Sequence, residues 1–365
     1  MKYLARFFTL LLLPFWACND NKPGDLPDFD RGELLHHYAD NLIQPAYQSL
    51  QSEATDLLGA AEAFTTAPDE AALAALQLAW RNAYQSWQSA NAYNFGPAGE
   101  AGLKKGLIEE LGTFPTAEDK IEAAITAGDH TLASFDRDAR GFLAMEYLIF
   151  GKTTDSADVL AQFVASPSRR EHLLALAGQL KGLVDEVVAD WATYEAAFVT
   201  NVGTDVGSSV SQLYNEFVRS FESIKNFKVG LPAGKRPGQT MPEPHLVEAL
   251  YSSYSLEMLR LHLEAIEHIY YGESADGTTG VGLIDYVEAV EGGAQLVVAT
   301  QAQWQLVKQA LDQIPSDRPL SELMAENNAQ IDALHTELQK HTRFFKSDMS
   351  SLLGIAITFS SGDGD

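Results

Sequence analysis

The sequence predicts an all-α protein made of two related up-and-down helical-bundle halves, a duplicated four-helix-bundle-like architecture with a pseudo-two-fold relation. Three observations carry this expectation. Helical periodicity runs through nearly every long segment, helix breakers fall between the periodic runs, and a sequence pattern recurs in the second half.

The first element is not part of the fold. Lys2 and Arg6 precede an apolar run from Phe7 to Phe15, interrupted by Thr9 and Pro14, and Ala17 then precedes Cys18, the single cysteine. This is the anatomy of a lipoprotein signal, with residues 1–17 as the leader and Cys18 as the lipidated residue, although Phe15 and Trp16 depart from the usual lipobox. The apolar run is shorter than the roughly 18 to 20 residues that span a bilayer. Residues 18–29, polar and rich in Pro, Gly and Asp, read as a flexible tether. With one cysteine no internal disulfide can form, so a hydrophobic core must supply the stability.

From Glu33 to Phe64, apolar residues recur at Leu34, Leu35, Tyr38, Leu42, Ala46, Leu50, Leu57, Leu58 and Ala61, the stripe of an amphipathic helix. Later, Leu256, Leu259, Leu263, Ile266 and Tyr270 form a seam spaced by three and four. Breakers lie at Phe95-Gly96-Pro97, Gly151, Ser166-Pro167, Asn201 to Gly203, Gly230 to Gly238, Gly272 to Gly282 and Pro315 to Pro319. The one strand-like signal is the β-branched patch from Leu352 to Phe359. The helix end from Trp87 through Tyr93 to Pro97 is echoed from Phe221 through Phe227 to Pro232. Ala144-Met-Glu146 to Gly151 is echoed by Ala265-Ile-Glu267 to Gly272. The halves are therefore expected at 30–203 and 204–365.

The formal charge is −25, with 50 acidic residues against 25 Lys and Arg. Such a surface repels phosphate backbones, which argues against nucleic acid as a partner, and it suits cations or basic partners.

The most informative segment is Gly141-Phe-Leu-Ala-Met-Glu146-Tyr-Leu-Ile-Phe-Gly151, in which Glu146 is the only charged side chain. A helix apolar on all sides is a buried helix, so its carboxylate must be protonated, hydrogen-bonded, paired or bound to a cation. Arg81 is the candidate partner, set in an aromatic helix beside Trp80, Tyr84 and Trp87. A structural Glu–Arg pair and a polar, ligand-receiving pocket in the core both fit this pattern.

These residues resemble the imelysin-like proteins. The resemblance rests on the Trp80-Arg81-Tyr84 helix running to Phe95-Gly96-Pro97 and on the Gly141–Gly151 segment. It rests also on Lys228-Val-Gly-Leu-Pro232-Ala-Gly234-Lys235-Arg236, on Val247-Glu248-Ala-Leu-Tyr251-Ser252 and on the terminal Gly362-Asp-Gly-Asp365. The resemblance implies a two-bundle envelope protein, often associated with iron uptake, and one founding member was described as a metallopeptidase. The family signature places a histidine two residues after a glycine and a glutamate three residues later. Gly141 and Glu146 match, but Leu143 stands at the histidine position and cannot ligate.

The equivalent second-half residues are Glu264 and Glu267, followed by His268. They lie off the apolar seam, Glu264 one turn from Arg260, which favours a solvated face. His36, His37 and Asp40, or His335, Glu337 and His341, could meet on single helices, although histidines on such helices are ordinarily surface residues. No His-Glu-x-x-His or His-x-x-Glu-His is present.

Three functions follow as expectations. The leading one is a non-catalytic, lipid-anchored binding protein of the cell envelope, expected at the outer membrane and accessory to uptake of iron, haem or another metal-linked nutrient through an iron-uptake membrane complex. Its pocket would involve Glu146, Arg81, Tyr84, Trp87, Gly141 and Leu143, with Lys235, Glu248, Ser252, Glu264, Glu267 and His268 as second-half candidates. The others are a metallopeptidase, weakened by Leu143, and a scaffold for a membrane partner. The basic Lys228–Arg236 loop would lock the halves together or meet an anionic ligand.

Overall fold

The computed structural model describes residues 29–101, 105–152 and 155–359. The leader, Cys18, most of the tether and the terminal Gly362–Asp365 lie outside the described residues. Eight helices form the frame: α1 (Gln44–Thr66), α2 (Glu70–Ala90), α3 (Gly141–Phe150), α4 (Pro167–Thr200), α5 (Ser209–Ser223), α6 (Ser255–Tyr271), α7 (Gly293–Asp312) and α8 (Ala329–Arg343). Among the described residues there is no strand, and Glu273 and Thr279 form an isolated bridge. None of their helices is long and apolar enough to cross a membrane.

Helix α1 is the continuation of Arg31–His37 and a wider π-type turn at Tyr38–Ile43. It packs between α2 and α4, while α3 lies across α2 and α4. In the second half, α5 packs on α6, and α7 on α8. The long contact between the halves is made by α2 against α6.

Local signals set these ends. Asp69, Ser166, Ser208 and Asn328 cap their helices by accepting a backbone N–H, and Pro167 opens α4. Gly151 and Gly272, the paired glycines of the repeat, both stop a helix at positive φ (70° and 66°). The apolar stripe of residues 34–61 and the seam of α6 are buried as the periodicity requires, with Ala46 and Leu58 partly buried at the edge of the stripe.

The β-branched patch forms no strand. After the helical turn Ser350–Leu353 the chain runs extended, and Asn215 replaces a strand partner: its side chain donates to Ala356 O (3.0 Å) and accepts from Thr358 N (2.8 Å). A side-chain amide satisfies the peptide groups that a neighbouring strand would otherwise serve.

Candidate functional site

The aromatic face of α2 positions the first wall of the site. Trp80 donates through Nε1 to Phe142 O (2.8 Å), and the Tyr84 ring lies 4.9 Å from that of Phe142. This brings the start of α3 against the short helix Leu107–Leu111. Gly141 makes the approach possible: its φ is +72°, and a Cβ there would sit 2.5 Å from Leu111 O.

Glu146 is fully buried, as expected. Its partner, however, is Ser252. The Ser252 amide (2.7 Å) and hydroxyl (2.6 Å) both donate to Oε1, while Oε2 is enclosed and accepts no well-formed hydrogen bond. Burial pushes its carboxyl up to about 7, against the pull of the Ser252 donors, with the nearby Glu248 charge adding to the rise.

Arg81 does not reach Glu146. It projects from α2 toward α6, where its guanidinium makes a bidentate pair with Glu257 (2.8 and 2.9 Å) and lies 4.5 Å from the Tyr254 ring centroid. The half-exposed side chain gains a forked carboxylate and an aromatic face there, at no cost of full burial. Arg81 thus ties the two halves together instead of compensating the buried acid.

The second buried carboxylate is Glu248. Tyr84 donates to its Oε1 (2.6 Å), and Lys228 Nζ lies 2.9 Å from its Oε2. Lys228 also donates to Gln88 Oε1 (2.6 Å). Burial draws the Lys228 ammonium below its usual range, and Glu248 opposes that change. Beyond Gln88, Ser220 Oγ lies 3.3 Å from Asn91 Oδ1 and 2.7 Å from His262 Nε2. Burial holds His262 neutral at physiological pH, with Lys228 contributing.

The backbone that presents Glu248 and Ser252 is strained. Ala249 (φ 53°) and Ser253 (φ 62°) both occupy the left-handed region. Each costs on the order of 1 kcal/mol, so contacts from Glu146 and Lys228 help to hold this turn. On the opposite wall, α5 widens into a π-type segment, Ile224–Gly230, that buries Lys225, Asn226 and Lys228 together.

Between these walls lies a cavity of about 600 Å³, bounded among others by Trp87, Glu109, Glu222, Lys228, Glu248 and His262. Glu248 and Lys228 line the cavity, whereas Glu146, bonded to the Ser252 turn, does not. Leu143 is buried in the core. Glu264 is exposed, but Arg260 turns to Asp312 (3.2 Å) and not to Glu264. Glu267 pairs with Lys308 (2.7 Å), and His268 borders a separate small crevice. Lys235 pairs with Asp332 (2.8 Å) outside the central cavity.

The histidine groupings on single helices do not assemble. His37 Nε2 lies 2.7 Å from Gly272 O in the other half. His341 is not a surface residue: it is fully buried among Phe221, Trp304 and Phe345, and burial lowers it to about 3.

A family model described as imelysin, a peptidase family, matches residues 43–343. The chain belongs to the imelysin family. A relative named iron-regulated protein A, from Synechococcus elongatus, is 25% identical over 289 residues, covering 74% of this chain and 75% of that one. Two crystal structures share the fold. One, provisionally described as an iron-regulated protein A precursor from Parabacteroides distasonis, aligns with TM-score 0.74 at 18% identity over 90% of this chain and 97% of its own. The other, an imelysin-like protein from Psychrobacter arcticum, aligns with TM-score 0.72 at 17% identity over 92% of this chain and 100% of its own.

A metal ion does not fit the signature position of this imelysin. Leu143 offers no donor, Glu146 has one oxygen committed to Ser252, and Glu248 is held by Lys228 and Tyr84. Among the described residues, no group of three or more His, Cys, Asp or Glu is placed to hold a metal ion.

The sequence missed Asn91 and His262 as cavity residues, and Gln88 and Ser220 as their buried hydrogen-bonding neighbours. Their signal was faint: polar side chains spaced like core positions on otherwise apolar faces, which a stripe of polar helix surface also produces.

Proposed function

We propose that this imelysin-family protein is a lipid-anchored binding protein of the cell envelope that serves iron acquisition by holding a small ligand in the cavity between its halves. The observation that carries the reading is the buried Glu248–Lys228 pair set in the cavity wall. Burying two charges costs several kcal/mol per ion before their attraction returns it. Such a pair, with Tyr84 and Gln88 fixing its ends, provides both an acceptor and a donor at a desolvated surface. A cavity of about 600 Å³ lies within the range of about 300–1,000 Å³ used for small ligands.

The iron connection is drawn from the name of the cyanobacterial relative, and the anchor from Cys18 after its apolar leader. Because the signature residues do not suit a bare ion, the ligand is read as bringing iron inside an organic frame, as haem or a chelate. A membrane partner of an uptake complex would then receive it.

The test uses the full-length chain in detergent, with thermal shifts measured for haem, ferric chelates and ferrous ion. The expected result is stabilisation by a framed ligand and none by ferrous ion. Thr113→Trp, which fills the cavity from a half-buried loop position, should abolish the shift while leaving the unliganded melting temperature near that of the parent. A shift retained in full by Thr113→Trp rules out this cavity.

A further inference from the structure

One nitrogen of His262 is left unserved in the wall of the central cavity. The residue is 1% exposed and lines the cavity, and its two ring nitrogens fare differently. Nε2 lies 2.7 Å from Ser220 Oγ, whereas Nδ1 is enclosed and meets no hydrogen-bond partner among the described residues. Ser220 stands behind the wall and not in it. Nε2 is therefore engaged with the protein, and Nδ1 is the nitrogen left for whatever the cavity holds.

The buried polar chain behind the wall fixes which nitrogen carries the proton. An ammonium can only donate, so Lys228 gives a hydrogen bond to Gln88 Oε1 (2.6 Å). Asn91 Nδ2 donates to the same oxygen (3.5 Å), which leaves Asn91 Oδ1 to face Ser220. Ser220 has one hydroxyl proton, and it goes to Asn91 Oδ1 (3.3 Å). The Ser220 oxygen then accepts from His262, so Nε2 carries the ring proton and Nδ1 keeps a bare lone pair. Burial, with Lys228 nearby, holds the ring neutral, so no second proton takes that lone pair. A buried acceptor without a donor is costly to leave, and an entering N–H or O–H would satisfy it.

Charge in the same wall restricts the ligand further. Glu109, Glu222 and Glu248 stand in it against Arg219 and Lys228. Both cations are already paired, Lys228 with Glu248 (2.9 Å) and Arg219 with Glu216 (3.3 Å). Haem, whose ionised propionates only accept, brings neither a donor for Nδ1 nor a charge that this wall favours. We propose that His262 is a specificity-determining residue of the central cavity, its Nδ1 accepting a hydrogen bond from an N–H or O–H on an iron chelate without net negative charge. The inference rests on the reading that the cavity holds iron inside an organic frame, and it narrows that frame. Hydroxamates meet these terms: three of them neutralise one ferric ion, and each keeps its N–H directed away from the metal.

The experiment is calorimetric titration of the full-length chain in detergent with the tris(acetohydroxamate) and tris(N-methylacetohydroxamate) complexes of ferric iron, in equal excess of the free hydroxamate. The two share charge and metal frame and differ in N–H against N–CH3. The N–H complex should bind about tenfold or more tightly, because its N-methyl counterpart leaves a buried acceptor unpaired. His262→Phe should bring the two affinities together. His262→Gln, which keeps a donor for Ser220 but no acceptor in the place of Nδ1, should do the same, and it carries the test if His262→Phe does not fold. The ratio of affinities is read because a merely structural role would weaken both complexes alike. Equal affinities in the parent, both lost in Thr113→Trp, overturn this inference and leave the cavity reading standing. A preference undiminished in the His262 variants overturns it too. Binding of neither complex overturns it as well; the cavity reading then stands if haem still raises the melting temperature and falls if no framed ligand does.

Discussion

Burial makes Glu146 a pH-responsive group. Its carboxyl rises from an ordinary value near 4.5 to about 7 in the folded chain. Between those values the folded state binds the proton more tightly than the unfolded state does, so the group's contribution to stability falls as pH rises through that window and levels off above it. Glu146→Gln keeps a carbonyl acceptor for the Ser252 amide and hydroxyl but cannot ionise. The stability of Glu146→Gln relative to the parent should therefore grow by a few kcal/mol from pH 4.5 to pH 7.5, measured by urea denaturation at each pH. A constant difference would show that the carboxyl does not titrate there. Glu216 is also pushed up to about 7 by burial, but it is common to both proteins and cancels in the difference. At the same scale, removing one partner of the Glu248–Lys228 pair strands a buried charge. Glu248→Gln and Lys228→Met should each destabilise by about 3–5 kcal/mol. The double variant should cost less than their sum, which a double-mutant cycle measures directly. The need for a companion at Glu146 was legible because one charged residue in an apolar run has few options. The companion's identity was not, because Ser252 lies far along the chain in a turn with no periodic signal.

At the scale of elements, the repeat was legible where it governs helix ends, at Gly151 and Gly272, and it does not extend to a matched site, in keeping with the solvated face that the sequence favours for Glu264 and Glu267. Glu146 and Glu267 occupy equivalent positions, yet one is buried and the other pairs with Lys308 near solvent, because α3 is covered on all sides whereas α6 is amphipathic. The π-type segment Ile224–Gly230 was not legible either. Wider turns come from a local change in hydrogen-bond register that composition does not encode, and this one buries Lys225, Asn226 and Lys228 together. Gly141 provides the element-scale prediction. Gly141→Ala adds a Cβ 2.5 Å from Leu111 O at φ +72°, whereas Gly128→Ala also has positive φ but meets nothing within 4 Å. Gly128→Ala should cost about 1 kcal/mol, the left-handed penalty alone. Gly141→Ala should cost at least twice as much by chemical denaturation, because α3 must also move from the Leu107–Leu111 helix. Equal losses would mean that α3 yields without disturbing the Trp80–Phe142 contact.

For the whole molecule, charge and core act in opposite directions. A core rich in aromatic and aliphatic side chains runs through both halves, joined where α2 meets α6 and pinned by Arg81, Gln85 and Glu257. The all-helical architecture was legible because periodicity and capping residues agree along nearly the whole chain. The central cavity was not, because its walls come from segments distant in sequence that meet only when the halves dock. Against this core stands a formal charge of −25, whose self-repulsion is relieved when the chain expands. Raising sodium chloride from about 0.01 M to about 0.15 M shortens the screening length from roughly 30 Å to roughly 8 Å, less than the dimensions of the fold. The melting temperature should therefore rise over this range. The opposing effect, screening of the surface pairs Lys120–Asp138 and Arg318–Glu326, is small, because exposed pairs contribute about 1 kcal/mol or less. A falling melting temperature would mean that ion pairing between the halves, at Arg81–Glu257 above all, outweighs the repulsion. Lys as well as Gln at position 81 would then separate the two cases: loss of salt sensitivity in both Arg81→Gln and Arg81→Lys would trace the effect to the forked contact itself.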